Sequence, residues 1–219
     1  MDFGKHKIPL NTGFEFFDVF NKNFYHFEEL QKLMIEYGPF PKGGGSYLMD
    51  GQTLDYSPIM AEKQNILFET VKGLKSNTNV IEVGVYAGHS LLIMLLAHPT
   101  INVDAIDIGI YNFTKPCVDY LNRVFNNRVR YFAQPSHDVL PVLVTEGRKY
   151  GLVHIDGEHE AKYIEKELDY VLELKNPSCY LVIDDWDGAR HGMNKIEHLV
   201  NMVYLPSCIW RNAVYMFND

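Results

Sequence analysis

Apolar and polar positions change rhythm along this chain of 219 residues. From Asn79 onward, short apolar runs alternate with longer stretches of helical spacing. The runs at 80–83, 103–108, 129–132, 151–155 and 180–183 have the length of buried strands rather than helices. Helical spacing follows each of them, at 91–97, 115–125, 139–143, 160–174 and around 193–200. Five strand–helix repeats predict a doubly wound, largely parallel α/β sheet, because parallel neighbours need a crossover long enough to hold a helix. The end of the chain departs from this rhythm. Residues 202–205 and 209–217 have no helix between them, and Pro206-Ser207 suits a turn. They predict a closing antiparallel hairpin and seven strands in all.

The first 60 residues read differently. Residues 14–27 are dense in Phe, Tyr and acidic side chains, and 27–37 have helical spacing. Residues 38–45, Gly-Pro-Phe-Pro-Lys-Gly-Gly-Gly, consist of chain breakers. The pattern predicts an N-terminal helical or lid extension over 1–60 ahead of a sheet domain over 61–219, with the breakers as a linker or a mobile lid. Lys42 to Ser46 is no phosphate loop, since the order G-K-[ST] and a preceding strand are both missing. The aromatic stripe of Phe14, Phe16, Phe17 and Tyr25 fits a helix–helix contact, a subunit contact in a homo-oligomer, or one wall of a ligand pocket.

Charge and composition narrow the partners. Lys and Arg total 20 against 28 acidic residues, a net charge of −8, and no basic run occurs. Nucleic acid is therefore not an expected partner. Three cysteines, Cys117, Cys179 and Cys208, have no CxxC spacing and an odd count. That argues against a disulfide framework and for a reducing cytoplasm. Residues 1–11 have no apolar leader core, and no run of about 18 apolar residues exists to cross a bilayer. The expected protein is cytoplasmic and makes no membrane contact.

Ligands of open α/β sheets sit at the carboxyl ends of the strands, so the residues there carry the chemistry. The first strand ends in Glu82-x-Gly84-x-x-x-Gly88 and opens a helix. Glycines allow a tight turn and a close approach, and the helix start offers unpaired N–H groups to a nucleotide-like ligand. The spacing lacks the G-x-G-x-x-G of a dinucleotide cradle, which disfavours an NAD-dependent reductase. Asp107 closes the second strand, placed either to accept two hydrogen bonds from ribose hydroxyls or to cap a turn. Ser136, His137 and Asp138 follow the third strand; the Ser or the Asp could meet an adenine amine or cap the next helix. The fourth strand ends in Asp156-Gly-Glu158-His159 and the fifth in Asp184-Asp185-Trp186-Asp187. Neighbouring strand ends lie about 5 Å apart, so Asp156, Asp184 and Asp185 can converge. Crowded carboxylates need protons or a cation, and hard oxygen donors select Mg²⁺, Mn²⁺ or Ca²⁺; otherwise they cap helices and no metal binds. His159 stands beside the cluster as a candidate general base, with Glu158 as its rival.

At these positions the chain resembles the class I S-adenosylmethionine-dependent methyltransferases, with their Rossmann-like fold. The resemblance rests on Glu82-Val-Gly84-Val-Tyr86-Ala-Gly88, Asp107, Ser136 and Asp156, and it covers about residues 60–219. Within that superfamily, His154-Ile-Asp156-Gly-Glu158-His159 and Val182-Ile-Asp184-Asp185 are similar to the metal-dependent O-methyltransferases of the catechol and macrocin types. Two departures weaken the catechol assignment. His159 stands where the catechol type has a lysine base, and Asp185 where it has asparagine. The resemblance implies that Glu82, Gly84, Tyr86, Gly88 and Ser90 hold the methionine portion of S-adenosyl-L-methionine. It further implies that Asp107 grips the ribose, and that Ser136, His137 and Asp156 bound the rest of the cofactor. Asp156, Asp184 and Asp185 would hold Mg²⁺, with His159 or Glu158 taking a proton from a small hydroxylated acceptor. A metal-independent methyltransferase and a non-catalytic cofactor-binding scaffold are the alternatives.

Overall fold

The computed structural model describes residues 15–39, 58–204 and 212–218. Residues 40–45 of the predicted 38–45 linker or lid, Phe14 and the Pro206-Ser207 turn lie outside the described residues. The chain folds into two compact units, each assembled from separated stretches of sequence. One comprises the residues up to Gly73 with Tyr86–Pro99 and Gly109–Asn127; the other comprises Leu74–Val85, Thr100–Ile108 and Arg128–Asp219.

The first unit is helical. Its elements are α1 (Glu15–Lys22), α2 (Phe24–Tyr37), α3 (Pro58–Lys72), α4 (His89–Ala97) and α5 (Thr114–Val124). The aromatic stripe builds its core. Phe16, Phe17 and Phe20 are buried, with the Phe16 ring 5.4 Å from Phe68 of α3 and the Phe20 ring 4.5 Å from Phe27 of α2. Each such ring contributes roughly 2–3 kcal/mol by burial. Helix–helix packing is thus the contact these phenylalanines make, while Tyr25 stays exposed. Leu91 to Leu95 are buried all round α4, as expected of a helix with no polar face.

The second unit carries the sheet, with strands β1 (Asn79–Val83), β2 (Asn102–Asp107), β3 (Val129–Ala133), β4 (Tyr150–Ile155), β5 (Lys175–Ile183), β6 (Val200–Tyr204) and β7 (Ala213–Phe217). Their order is β3-β2-β1-β4-β5-β7-β6. The first five pair in parallel, and β7 lies antiparallel between β5 and β6. This is the predicted seven-stranded Rossmann-like sheet with its closing hairpin strands. Its helices are α6 (Ser136–Thr145), α7 (Ala161–Leu174) and the single turn α8 (Trp186–Ala189). Ile81, Val153, Ile155, Leu168, Leu181 and Tyr215 are among the buried side chains of its core.

Two predicted elements need correction. The helix expected around 193–200 is α8 followed by 3₁₀ turns at Arg190–Lys195 and Glu197–Leu199, and Val200 already belongs to β6. Gly188, Gly192 and Asn194 are poor helix formers, and a Cβ on Gly192 would stand 2.8 Å from Ile164 of α7. β5 begins at Lys175, five residues before its apolar run, because an irregular register between Tyr150 and Leu152 lets the Asn-Pro-Ser segment stay in the sheet. Among the described residues no helix is long and apolar enough to cross a membrane.

Candidate active site

Within the sheet unit, the parallel strands present their carboxyl ends together, and β1 in the middle sets the pattern. Gly84 follows β1 with φ +88°, a conformation that strains any side chain. A Cβ here would lie 2.1 Å from the Asp156 carbonyl oxygen and 2.7 Å from the Gly157 nitrogen. The backbone after β4 thus approaches this glycine closely. The backbone N–H of Gly84 donates to Ile106 O at 2.8 Å, and that of Asp156 to Val83 O at 2.7 Å. Three strand ends are pinned by these bonds, which fixes where Asp107 and Asp156 emerge.

Asp107 at the end of β2 is buried, and its Oδ2 accepts from the Val85 backbone N–H at 2.9 Å. One carboxylate oxygen thus holds the glycine turn. Glu82 is wholly buried, and its Oε1 meets His154 Nδ1 at 3.1 Å across the β1–β4 ladder. Sequence reading assigned His154 no role, although its place in register with Glu82 follows once β1 and β4 are paired. Ser136 opens α6 and donates to Glu167 Oε1 of α7 at 2.6 Å. Glu167 was also missed, and its signal was a carboxylate on the apolar stripe of Ile164, Leu168 and Val171. His137, next to Ser136, is exposed, with its Nε2 3.8 Å from Asp138.

The remaining members of the glycine motif belong to the helical unit. Gly88 caps α4 with φ +76°, and its nearest side chain is Leu121 of α5. Tyr86 adopts φ 50° and packs edge-on against Tyr111 and Phe113, at 5.1 and 5.0 Å. Burial, with a smaller push from Tyr111, raises its phenol to about 12. Ser90 is buried in the first turn of α4.

At the ends of β4 and β5 the acidic residues converge, though not as the three aspartates alone. Asp156, His159 and Asp184 each offer one donor atom, and these atoms lie within 4.8 Å of one another. Asp185 is not in that set. Its backbone is left-handed, at φ 45°, and its Oδ2 lies 3.2 Å from His159 Nδ1. The other ring nitrogen, Nε2, lies 3.8 Å from Asp156 Oδ1, beyond hydrogen-bonding distance. Burial opposes a charge on this imidazole, yet the carboxylates of Asp156 and Asp185 outweigh it and lift His159 to about 10. Without a cation, His159 is therefore imidazolium at neutral pH and no proton acceptor. Glu158 on the same turn is exposed.

A seven-stranded sheet with a reversed last pair, a glycine turn after β1 and acidic residues closing β2 and β4 is the arrangement of the class I S-adenosylmethionine-dependent methyltransferases, and this chain has their fold. Residues 81–186 match the family model of a methyltransferase domain. The O-methyltransferase of Bacillus cereus, solved in complex with S-adenosylhomocysteine, superposes with TM-score 0.64 at 15 % identity, covering 89 % of this chain and 91 % of that one. TomG of Streptomyces achromogenes, an O-methyltransferase of tomaymycin synthesis solved with S-adenosylmethionine, gives 0.63 at 12 % identity, with 89 % and 90 % covered. The calicheamicin enzyme CalS11, a TDP-rhamnose 3′-O-methyltransferase, gives 0.59 at 16 % identity, with 90 % and 95 % covered. No curated protein sequence matches.

Proposed function

We propose that this enzyme transfers a methyl group from S-adenosyl-L-methionine to a hydroxyl of a small molecule or sugar, assisted by a divalent cation at the ends of β4 and β5. The observation that carries this reading is the convergence of Asp156, His159 and Asp184 beside the β1 and β2 ends that would take the cofactor. O-methyltransferases among the similar folds, one acting on a nucleotide sugar, favour an oxygen acceptor.

The donor set fits a cation. Two carboxylates and an imidazole suit Mg²⁺ or Mn²⁺, the nitrogen tilting the choice toward Mn²⁺. Asp185 on His159 Nδ1 would fix the ring so that Nε2 faces Asp156, the usual carboxylate–histidine support of a metal ligand. In this reading Asp185 positions rather than ligates, and Glu158 is the carboxylate left to accept the acceptor's proton. A bound cation supplies Lewis acidity, lowering the pKa of a hydroxyl brought to it. Asp107 would hold the ribose while its other oxygen keeps the turn closed, Ser136 would meet the adenine, and the turn from Gly84 would face the methionine. Holding donor and acceptor in line is itself worth several kcal/mol of the barrier.

A second reading has support from the same imidazole. Charged His159 already offsets part of the acidic cluster, as a metal-independent methyltransferase would require. The deciding experiment is methyl transfer from labelled cofactor to a panel of sugars and phenols by chelator-treated enzyme, with Mg²⁺ or Mn²⁺ added back. Transfer restored by the cation and lost in Asp156→Asn is the expected result. Full activity in chelator overturns the cation's role.

A further inference from the structure

The Ser136–Glu167 pair lies outside the acidic cluster, and the packing of the core does not call for a carboxylate there. Glu167 lies on the core-facing stripe of α7 and is 5 % exposed. A carboxylate in such a place costs several kcal/mol unless it is well partnered. Its Oε1 accepts the Ser136 hydroxyl at 2.6 Å, and its Oε2 has no hydrogen-bond partner among the described residues. Burial lifts its pKa to about 7, although Ser136 and the charge of His159 pull the other way. Ser136 is only half-buried. It stands three residues beyond Ala133, which pairs in register with Asp107. Ser136 therefore stands on the strand-end side of the sheet, where a nucleoside held by Asp107 would extend.

A serine hydroxyl has one hydrogen to donate and two lone pairs. We propose that Glu167 is a positioning residue for nucleoside choice: it takes the single Ser136 hydrogen, so Ser136 can only accept from the ligand. Such a serine favours a base that presents an amino group over one that presents a carbonyl at the same place. Glu167 touches no ligand itself. The inference rests on the proposed use of S-adenosyl-L-methionine, whose adenine carries a 6-amino group.

The test is calorimetric binding of S-adenosylhomocysteine and its 6-oxo analogue, S-inosylhomocysteine, to the full chain at about pH 9, where Glu167 is ionised. Wild type should prefer the amino ligand by about 10- to 100-fold, the usual penalty for facing two acceptors. Glu167→Gln can donate its amide to Ser136, freeing the hydroxyl hydrogen for the ligand. Its preference should then fall at least fivefold or reverse, whereas a purely structural loss would weaken both ligands alike. Where Glu167→Gln does not fold, Glu167→Asp, shorter by a methylene, releases the hydroxyl to turn either way, and the ratio should again fall toward one. A wild-type ratio near one, or an unchanged ratio in the variant that folds, overturns the inference alone. Wild type that binds neither ligand overturns the cofactor reading on which it stands.

Discussion

Two carboxylate clusters in the sheet unit use the same residue type to opposite ends. Asp104 of β2 is buried and accepts from Arg130 Nε and Nη2 at 2.9 and 3.0 Å, from Arg148 Nη2 at 3.0 Å and from the Tyr150 hydroxyl. One negative charge meets two guanidiniums, so this cluster is electrostatically closed. At the ends of β4 and β5, Asp156 and Asp185 lie beside the two nitrogens of the His159 imidazole, and Asp184 offers a donor atom within 4.8 Å of those of Asp156 and His159. Asp156, His159 and Asp185 are only half-buried, so this cluster is open to solvent. A buried, charge-paired cluster stabilises a fold, whereas acidic groups at the solvent-facing ends of parallel strands stand where a ligand would meet them.

The largest expected effect separates these roles. Asp184→Asn should lower kcat about 10³-fold, the equivalent of the several kcal/mol a cation supplies. Its stability in chelator should be unchanged or higher, because a crowded charge is gone. Turnover on a sugar or phenol acceptor, with a denaturant melt alongside, checks both halves. An active variant would remove Asp184 from the site.

Asp104→Asn should do the reverse. Breaking a buried ion pair costs about 3–5 kcal/mol, and the partly exposed Arg130 regains water, so a loss near 3 kcal/mol is expected. Turnover per folded molecule should stay within about twofold of wild type. A variant as stable as wild type would show that the arginines do not need this partner.

Much of this contrast was legible in the sequence, for a physical reason. Strand ends in a parallel sheet are fixed by the run of apolar residues before them, so Asp107, Asp156 and Asp184 could be placed from the runs at 103–108, 151–155 and 180–183. Side-chain direction beyond the strand could not. Asp185 turns away because its backbone is left-handed, and nothing local announces that for an aspartate followed by tryptophan. Gly84 was found but for an incomplete reason, since its missing Cβ makes room for the Asp156 backbone, a contact across 72 positions of sequence. Glu167 and His154 were missed because their partners, Ser136 and Glu82, lie on other elements. The 3₁₀ turns after α8 escaped because Met193, Ile196 and Val200 mimic helical spacing in a stretch too rich in glycine to hold a helix.

Cation binding sharpens the comparison further. If the open cluster is a metal site, Mg²⁺ or Mn²⁺ at 100 times its Kd should add about 2.7 kcal/mol to the unfolding free energy. The same addition should leave Asp156→Asn unmoved and should shift the Asp104→Asn enzyme as much as wild type. A melt of chelator-treated protein with and without the ion measures this apart from activity. Equal shifts in wild type and Asp156→Asn would place the ion elsewhere.

The smallest effect is the dependence of stability on pH in the metal-free enzyme. His159 is raised from its ordinary 6.5 to about 10, so between those values the folded chain binds a proton that the unfolded chain has released. The unfolding free energy must then fall as pH rises: the contribution is complete below about 6.5 and gone above about 10. One proton sets a ceiling of about 1.4 kcal/mol per pH unit on the slope, and partial exposure of the ring lowers it. Glu167 titrates in a lower window, ending near 7, and the guanidiniums around Asp104 stay charged throughout. Between about pH 7 and 8 the decline therefore reports the open cluster and not the closed one; above that, the buried Cys117 and Cys179 thiols, raised from 9.0 to about 12, add to it. His159→Gln should flatten it, while Arg148→Gln should lower stability without changing its slope. If His159→Gln kept the wild-type slope, the imidazole would not be the group that balances these aspartates.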